Sequence, residues 1–188
     1  MFILLFITIY ADESLSDLSK NRLHHYQKSI NSYQNLPQSK QLIKVNLYLN
    51  QLLPQYDNVI QKKEDHWATP KEFLRYGFGD CEDYAIIKYF TLLELGFDEE
   101  RLFLTTVRDE FSGGYHMVLS YFKNLGTSPL ILDNLSFKIL SLQERDDLQA
   151  DQFINYSGVY HLDKDNKLTK IKNESIKFTN LLIRINNN

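Results

Sequence analysis

The chain of 188 residues holds one cysteine, inside Gly77-Phe78-Gly79-Asp80-Cys81-Glu82-Asp83, ahead of an apolar run through Ala85, Ile86, Tyr89, Phe90 and Leu93 that stops at Gly96. A tight turn feeding a buried helix puts Cys81 in the first helical turn. Unpaired backbone N–H groups and the positive end of the helix dipole favour a thiolate there. The position suits a nucleophile, and glycines at 77 and 79 permit a close approach of substrate, with the Cys81 N–H as one oxyanion donor. The flanking Asp80, Glu82 and Asp83 act the other way, because like charges raise a thiol pKa. Two readings of these carboxylates stay open: Asp80 as helix cap with acidic residues in the first turn, or hard oxygen ligands for Ca²⁺, short of the roughly 6–8 oxygens that ion takes.

A second pair of candidates lies further on. The stretches 115–122 and 127–134 flank Lys123-Asn124-Leu125-Gly126, which reads as a four-residue hairpin loop ending in glycine. Pairing Phe122 with Thr127 sets His116 directly opposite Asp133, with Cβ atoms about 4.5–5.5 Å apart, within reach of a His–Asp orienting contact. A slip of one residue would turn Asp133 to the other face. Taken singly, His116 also fits a half-buried strand histidine and Asp133 a strand end that starts a turn with Asn134. His24, His25, His66 and His161 receive no role, and no glycine-rich phosphate loop, serine elbow or HExxH motif occurs.

The elements that must carry these residues follow from periodicity. Leu15, Leu18, Leu23, Tyr26 and Ile30 recur at helical spacing over 12–34, and Leu42, Val45, Leu47, Leu49 and Leu52 supply a second helix that stops near Pro54. A short third helix is expected over 55–63. Thr69-Pro70-Lys71-Glu72 is a helix start with threonine as cap and proline at the first position, ending at Gly77. Then come β-rich stretches at 102–107, 115–122, 130–133 and 153–162, and an amphipathic helix over 176–185. A helical N-terminal half with the Cys81 helix packed on an antiparallel sheet makes the class α+β.

Composition narrows the function. A hydrophobic fraction of 43% supports one sizeable core, and a net charge of −3 from 21 basic and 24 acidic residues leaves no footprint for nucleic acid. The uncharged apolar run 2–10 is shorter than the about 20 residues a membrane helix needs. It suits the core of a secretory signal, with Ile9-x-Ala11 as cleavage site before Asp12, although a buried N-terminal strand is the alternative. The expected organisation is a signal over 1–11 and one domain over 12–188. A lone thiol in an oxidising compartment calls for a reason, and catalysis is one.

Together, Trp67-Ala68-Thr69-Pro70-Lys71-Glu72-Phe73-Leu74, Gly79-Asp80-Cys81-Glu82-Asp83-Tyr84-Ala85, His116-Met117-Val118-Leu119 and Leu132-Asp133-Asn134 resemble the bacterial transglutaminase-like cysteine peptidases, in particular the LapG-type adhesin proteases. The resemblance runs from about residue 50 to the C-terminal helix. It implies a papain-like/transglutaminase-like α+β fold and a periplasmic location. It also implies Ca²⁺ dependence, cleavage of a large repeat adhesin near its N-terminal retention module, and control by an inner-membrane cyclic-di-GMP receptor. In this reading Cys81 is the nucleophile, His116 the general base and Asp133 the group that orients it. Asp80 and Glu82 correspond to calcium ligands, with Asp83 as a further candidate. Trp67 either offers its indole N–H to the oxyanion or packs in the core. A transglutaminase with the same triad and a non-catalytic binding module are the competing functions.

Overall fold

The structure is a computed structural model that describes residues 17–54 and 66–187. The expected signal over 1–11 and helix over 55–63 lie outside the described residues. Helix α1 (Asp17–Tyr33) buries Ser19, Leu23, Tyr26 and Ile30 along one face. Leu18, read as part of that face, is 74% exposed. Ser19 takes the place because its hydroxyl donates to the Arg75 carbonyl at 2.7 Å, a contact leucine cannot make. Helix α2 (Gln38–Leu49) buries Leu42, Val45 and Leu49 and ends before β1 (Leu53–Pro54).

Helix α3 (Pro70–Tyr76) starts as its sequence dictates. Thr69 Oγ accepts the Glu72 N–H at 3.2 Å, while Glu72 Oε2 accepts the Thr69 N–H at 2.7 Å, a reciprocal capping box. Gly77 closes the helix at φ 80°, the left-handed conformation that favours glycine. Strand β2 (Phe78–Gly79) pairs in parallel with β1. A Cβ on Gly79 would stand 2.6 Å from Asp83 Oδ2, so glycine at this position is a steric requirement. Helix α4 (Cys81–Glu94) follows at once, buried on every side from Asp83 to Leu92.

After a 3₁₀ turn (Glu99–Arg101) come β3 (Leu102–Asp109), β4 (Tyr115–Tyr121), β5 (Leu130–Leu132), β6 (Leu140–Ser141), β7 (Leu148–Asn155), β8 (Gly158–Leu162) and β9 (Leu168–Lys172), and then α5 (Ile176–Asn186). The strands form one antiparallel sheet in the order β6-β5-β4-β3-β7-β8-β9. Its helix side meets α4, where Leu102, Leu104 and Leu119 join Ile86, Ile87, Tyr89 and the inner faces of α1 and α2 in one core. Phe178 of α5 closes that core edge-on against Tyr89, with ring centroids 5.6 Å apart. The opposite side buries Val107, Val118, Ile131 and Leu148 in one cluster and Phe103, Phe122 and Phe153 in another. Both faces of the central strands are therefore dry.

Two sequence expectations need correction. The stretch 153–162 is not one strand: the chain reverses at Tyr156-Ser157, where Asn155 Oδ1 accepts the Ser157 N–H at 3.0 Å, and returns as β8. The β4–β5 register also differs. Leu119 faces Leu132, not Leu130, because the connection spans 122–129 instead of 123–126. The shift is two residues, an even number, so every side chain keeps its face. No described helix is long and apolar enough to cross a membrane.

Candidate active site

Cys81 is the first residue of α4, half-buried against the end of the sheet. Asp80 holds the N-cap position with extended backbone, as its place in the sequence predicts, yet its side chain makes no capping hydrogen bond. The Cys81 thiol donates to Glu82 Oε2 at 3.2 Å, and the Met117 backbone supplies a hydrogen bond to the sulfur. That contact places the sulfur beside the strand residue that follows His116. Burial raises the thiol pKa most, the charge and hydrogen bond of Glu82 raise it further, the Met117 bond opposes them, and Asp80 adds a smaller push upward. The helix-start advantage is outweighed, and the thiol is held protonated in this arrangement. Asp83 points elsewhere. It is 3% exposed, and Oδ1 accepts the Ala68 N–H at 2.7 Å, fastening the segment before α3 to the start of α4.

Across the site, His116 Nε2 lies 2.8 Å from Asp133 Oδ1. In the corrected register the pair is diagonal, not directly opposed: β5 stops at Leu132, and Asp133 starts the turn beyond it. Asp133 is 1% exposed and fully engaged. Oδ1 also accepts the Leu135 N–H at 2.9 Å, and Oδ2 accepts from Arg145 Nη2 at 2.9 Å. Its carbonyl accepts from Asn50 Nδ2 at 2.7 Å, and Asn46 and Asn50 both donate to the Ser136 carbonyl, so the end of α2 holds the turn in place. Burial alone would raise the Asp133 carboxyl. The hydrogen bond and charge of His116, the Leu135 N–H and Arg145 override it and hold the group well below the usual carboxylate range. With Nε2 committed to the carboxylate, Nδ1 is the ring nitrogen left to act as a base toward a thiol.

A helix-start thiol beside a strand carrying a carboxylate-paired histidine is the layout of a thiol acyl-transfer site. The sequence model of the bacterial transglutaminase-like cysteine proteinases matches residues 18–148. The chain belongs to that family. Solved relatives agree: the calcium-bound LapG of Legionella pneumophila is 33% identical, with 92% of this chain and 94% of that one covered and a TM-score of 0.80. The EGTA-treated form of the same Legionella protein gives 34% identity, 92% of each chain and a TM-score of 0.81. No curated protein sequence matches. The fold is thus the transglutaminase-like cysteine peptidase fold, and the protein is a cysteine peptidase by family.

For this transglutaminase-like proteinase, the remaining sequence candidate is Trp67. The residue is 6% exposed within the main core, with Lys177 Nζ 5.7 Å from its ring centroid, and its carbonyl accepts from Arg184. This is the packing alternative. Among the described residues no three His, Cys, Asp or Glu side chains converge on a metal position.

Sequence reasoning missed several groups around Asp133. Arg145 sits in Glu144-Arg145-Asp146-Asp147, which reads as surface charge, yet its side chain is only 10% exposed. Lys88 is 0% exposed and its Nζ has no hydrogen-bond partner among the described residues. Burial lowers its pKa to about 7, with the Asp133 charge opposing that shift. A lysine inside the apolar run Ala85–Phe90 was the available signal.

Proposed function

We propose that the protein is a calcium-dependent periplasmic cysteine endopeptidase in which Cys81 is the nucleophile, His116 the general base and Asp133 the orienting carboxylate. The His116–Asp133 contact at 2.8 Å, with the sulfur on the adjacent Met117, is the observation that carries this reading. To react, the thiol leaves Glu82 for Nδ1 of His116, which takes its proton. The thiolate attacks a peptide carbonyl while the Cys81 N–H donates to the developing oxyanion, and His116 returns the proton to the departing amine. Water then releases the acyl group, with His116 again as base. Throughout, Asp133 keeps Nε2–H in place and stabilises the imidazolium.

Asp80 and Glu82 are the groups that would hold calcium, with water and carbonyl oxygens completing the shell. The residues fit: two hard carboxylates flank Cys81, neither side chain is spent on a capping hydrogen bond of the helix, and both push the thiol pKa upward. A bound divalent cation supplies charge neutralisation at these carboxylates, favouring the thiolate. The calcium-bound and EGTA-treated Legionella relatives support the assignment. Asp83, fastened to Ala68, is placed for structure.

From the motif resemblance, the substrate is the N-terminal region of a large repeat adhesin, whose release controls biofilm attachment. An inner-membrane cyclic-di-GMP receptor is the regulator, and residues 12–188 are the domain left after removal of the signal. The test is incubation with an N-terminal adhesin fragment from the same cell. New N-termini should appear, absent with Cys81→Ser and with EGTA. Cleavage that persists in Cys81→Ser ends the proposal, and incorporation of a labelled amine without new termini identifies a transglutaminase instead.

A further inference from the structure

The carboxylate partner of His116 is itself gripped by a second ion pair. Arg145 presents its Nε/Nη2 edge to Asp147, with Nε 2.7 Å from Oδ1 and Nη2 2.6 Å from Oδ2, a two-pronged fork. The same Nη2 donates to Asp133 Oδ2 at 2.9 Å. One guanidinium therefore bridges two carboxylates and takes up the Asp133 oxygen that His116 does not use. The turn that carries it is fixed by backbone bonds: Arg145 N–H to the Leu142 carbonyl at 3.1 Å, Leu148 N–H to the Arg145 carbonyl at 3.1 Å, and Glu110 N–H to the Asp147 carbonyl at 2.9 Å.

We propose that Arg145, seated on Asp147, is a positioning residue that locks the Asp133 carboxylate so that Oδ1 faces Nε2 of His116. Without it Oδ2 has no partner among the described residues, and rotation about the Cα–Cβ and Cβ–Cγ bonds can turn the carboxylate away from the imidazole. The Asp147 charge balances Arg145, so the chain from His116 through Asp133 and Arg145 to Asp147 keeps a net negative charge facing the ring. Lysine cannot reproduce this, because an ammonium lacks the planar fork that spans two carboxylates.

The inference builds on the peptidase reading for its effect on reactivity, but not for its effect on His116. The experiment therefore has a readout that needs no substrate. In protein labelled with ¹⁵N-histidine, the His116 Nε2–H resonance, assigned by its disappearance in His116→Gln, should be protected from exchange with water. In Arg145→Gln that protection should fall about tenfold or more, and alkylation of Cys81 by iodoacetamide in calcium buffer should slow by about 10–100-fold, the usual cost of removing an outer-shell orienting partner. Arg145→Lys should recover part of both. Asp147→Asn leaves the guanidinium present but loosened, so it should show a smaller loss of roughly threefold to tenfold. It also serves if Arg145→Gln does not fold. Unchanged His116 protection in a folded Arg145→Gln or Asp147→Asn protein overturns the inference. If protection follows Arg145 but the wild type cleaves no adhesin fragment, the positioning role stands and the peptidase assignment falls.

Discussion

The two sides of the cleft are organised in opposite ways. On the strand side, the Asp133 carboxylate lies between His116 and Arg145, Arg145 pairs in turn with Asp147, and each carboxylate oxygen of Asp133 has a donor. On the helix side, a half-buried thiol sits among carboxylates, and its hydrogen bond to Glu82 opposes its ionisation. In the proposed mechanism the strand side is preorganised for base catalysis in the polypeptide alone. The helix side is unfavourable for a thiolate as the chain stands, which is where a cation has most to contribute. If the proposed calcium dependence holds, it belongs to the Cys81 half, and mutations on the two halves should behave differently toward calcium.

The largest expected effect tests the strand side. Asp133→Ala removes the orienter of His116 and leaves Arg145 buried beside an empty partner position. Cleavage should fall by about 10³–10⁴. Unfolding free energy should fall by about 3–5 kcal/mol, the usual result of breaking one member of a buried pair. Calcium should restore neither, as measured by initial rates and urea melts with and without EGTA. A calcium-rescuable Asp133→Ala enzyme would show that the two halves are not separable.

Lys88 tests whether the buried charge near Asp133 serves stability. Its amine is fully buried, and its pKa lies at about 7 against 10.5 in the open chain. Between those values the unfolded chain binds a proton that the folded chain does not, so stability rises with pH across that window. Below about pH 7 the penalty of charging the buried amine is fully present. Lys88→Met keeps the volume and removes the charge. It should stabilise by about 1–4 kcal/mol near neutral pH and flatten the slope of the unfolding free energy between pH 7 and 10 relative to wild type. An unchanged slope would mean that Lys88 is not the group responsible.

How much of this was legible in the sequence depended on which physical constraint was local. Helix α4 was visible because a helix buried all round is apolar all round, and the Thr69 cap with Pro70 after it because helix-start chemistry is local; the reciprocal bond from Glu72 appeared only in the structure. The His116–Asp133 contact was anticipated through a hairpin register that was two residues off; it survived because strand side chains repeat every two. An odd error would have lost it. The turn at Asn155-Tyr156-Ser157-Gly158 was missed because the β-formers on either side of it read as one strand. Arg145 and Lys88 were missed because their placement is tertiary. Only the folded sheet brings a charge run after β6 and a lysine two turns into α4 against Asp133. The N-cap position of Asp80 was legible in the sequence, whereas the tie between Asp83 and Ala68 was not, because the two lie fifteen residues apart.

The smallest expected effect sharpens the helix side. Glu82 is the second largest cause of the raised Cys81 thiol, after burial, through both its charge and its hydrogen bond. Glu82→Gln removes the charge and leaves the burial, so in EGTA the thiolate fraction should rise. Alkylation by iodoacetamide at pH 8 should then speed up by roughly threefold to tenfold, a change of about 1 kcal/mol. Adding calcium to the wild type should move its rate in the same direction, by neutralising the same carboxylate. In Glu82→Gln the calcium response should shrink, because the charge it acts on is gone and one ligand oxygen is neutral. Two rate series, with and without calcium, therefore discriminate. If Glu82→Gln in EGTA alkylates no faster than wild type in EGTA, the carboxylate is not what restrains the thiol. Burial alone would then hold it protonated, and the cation would have to act through shape, by ordering the Asp80–Cys81–Glu82 turn.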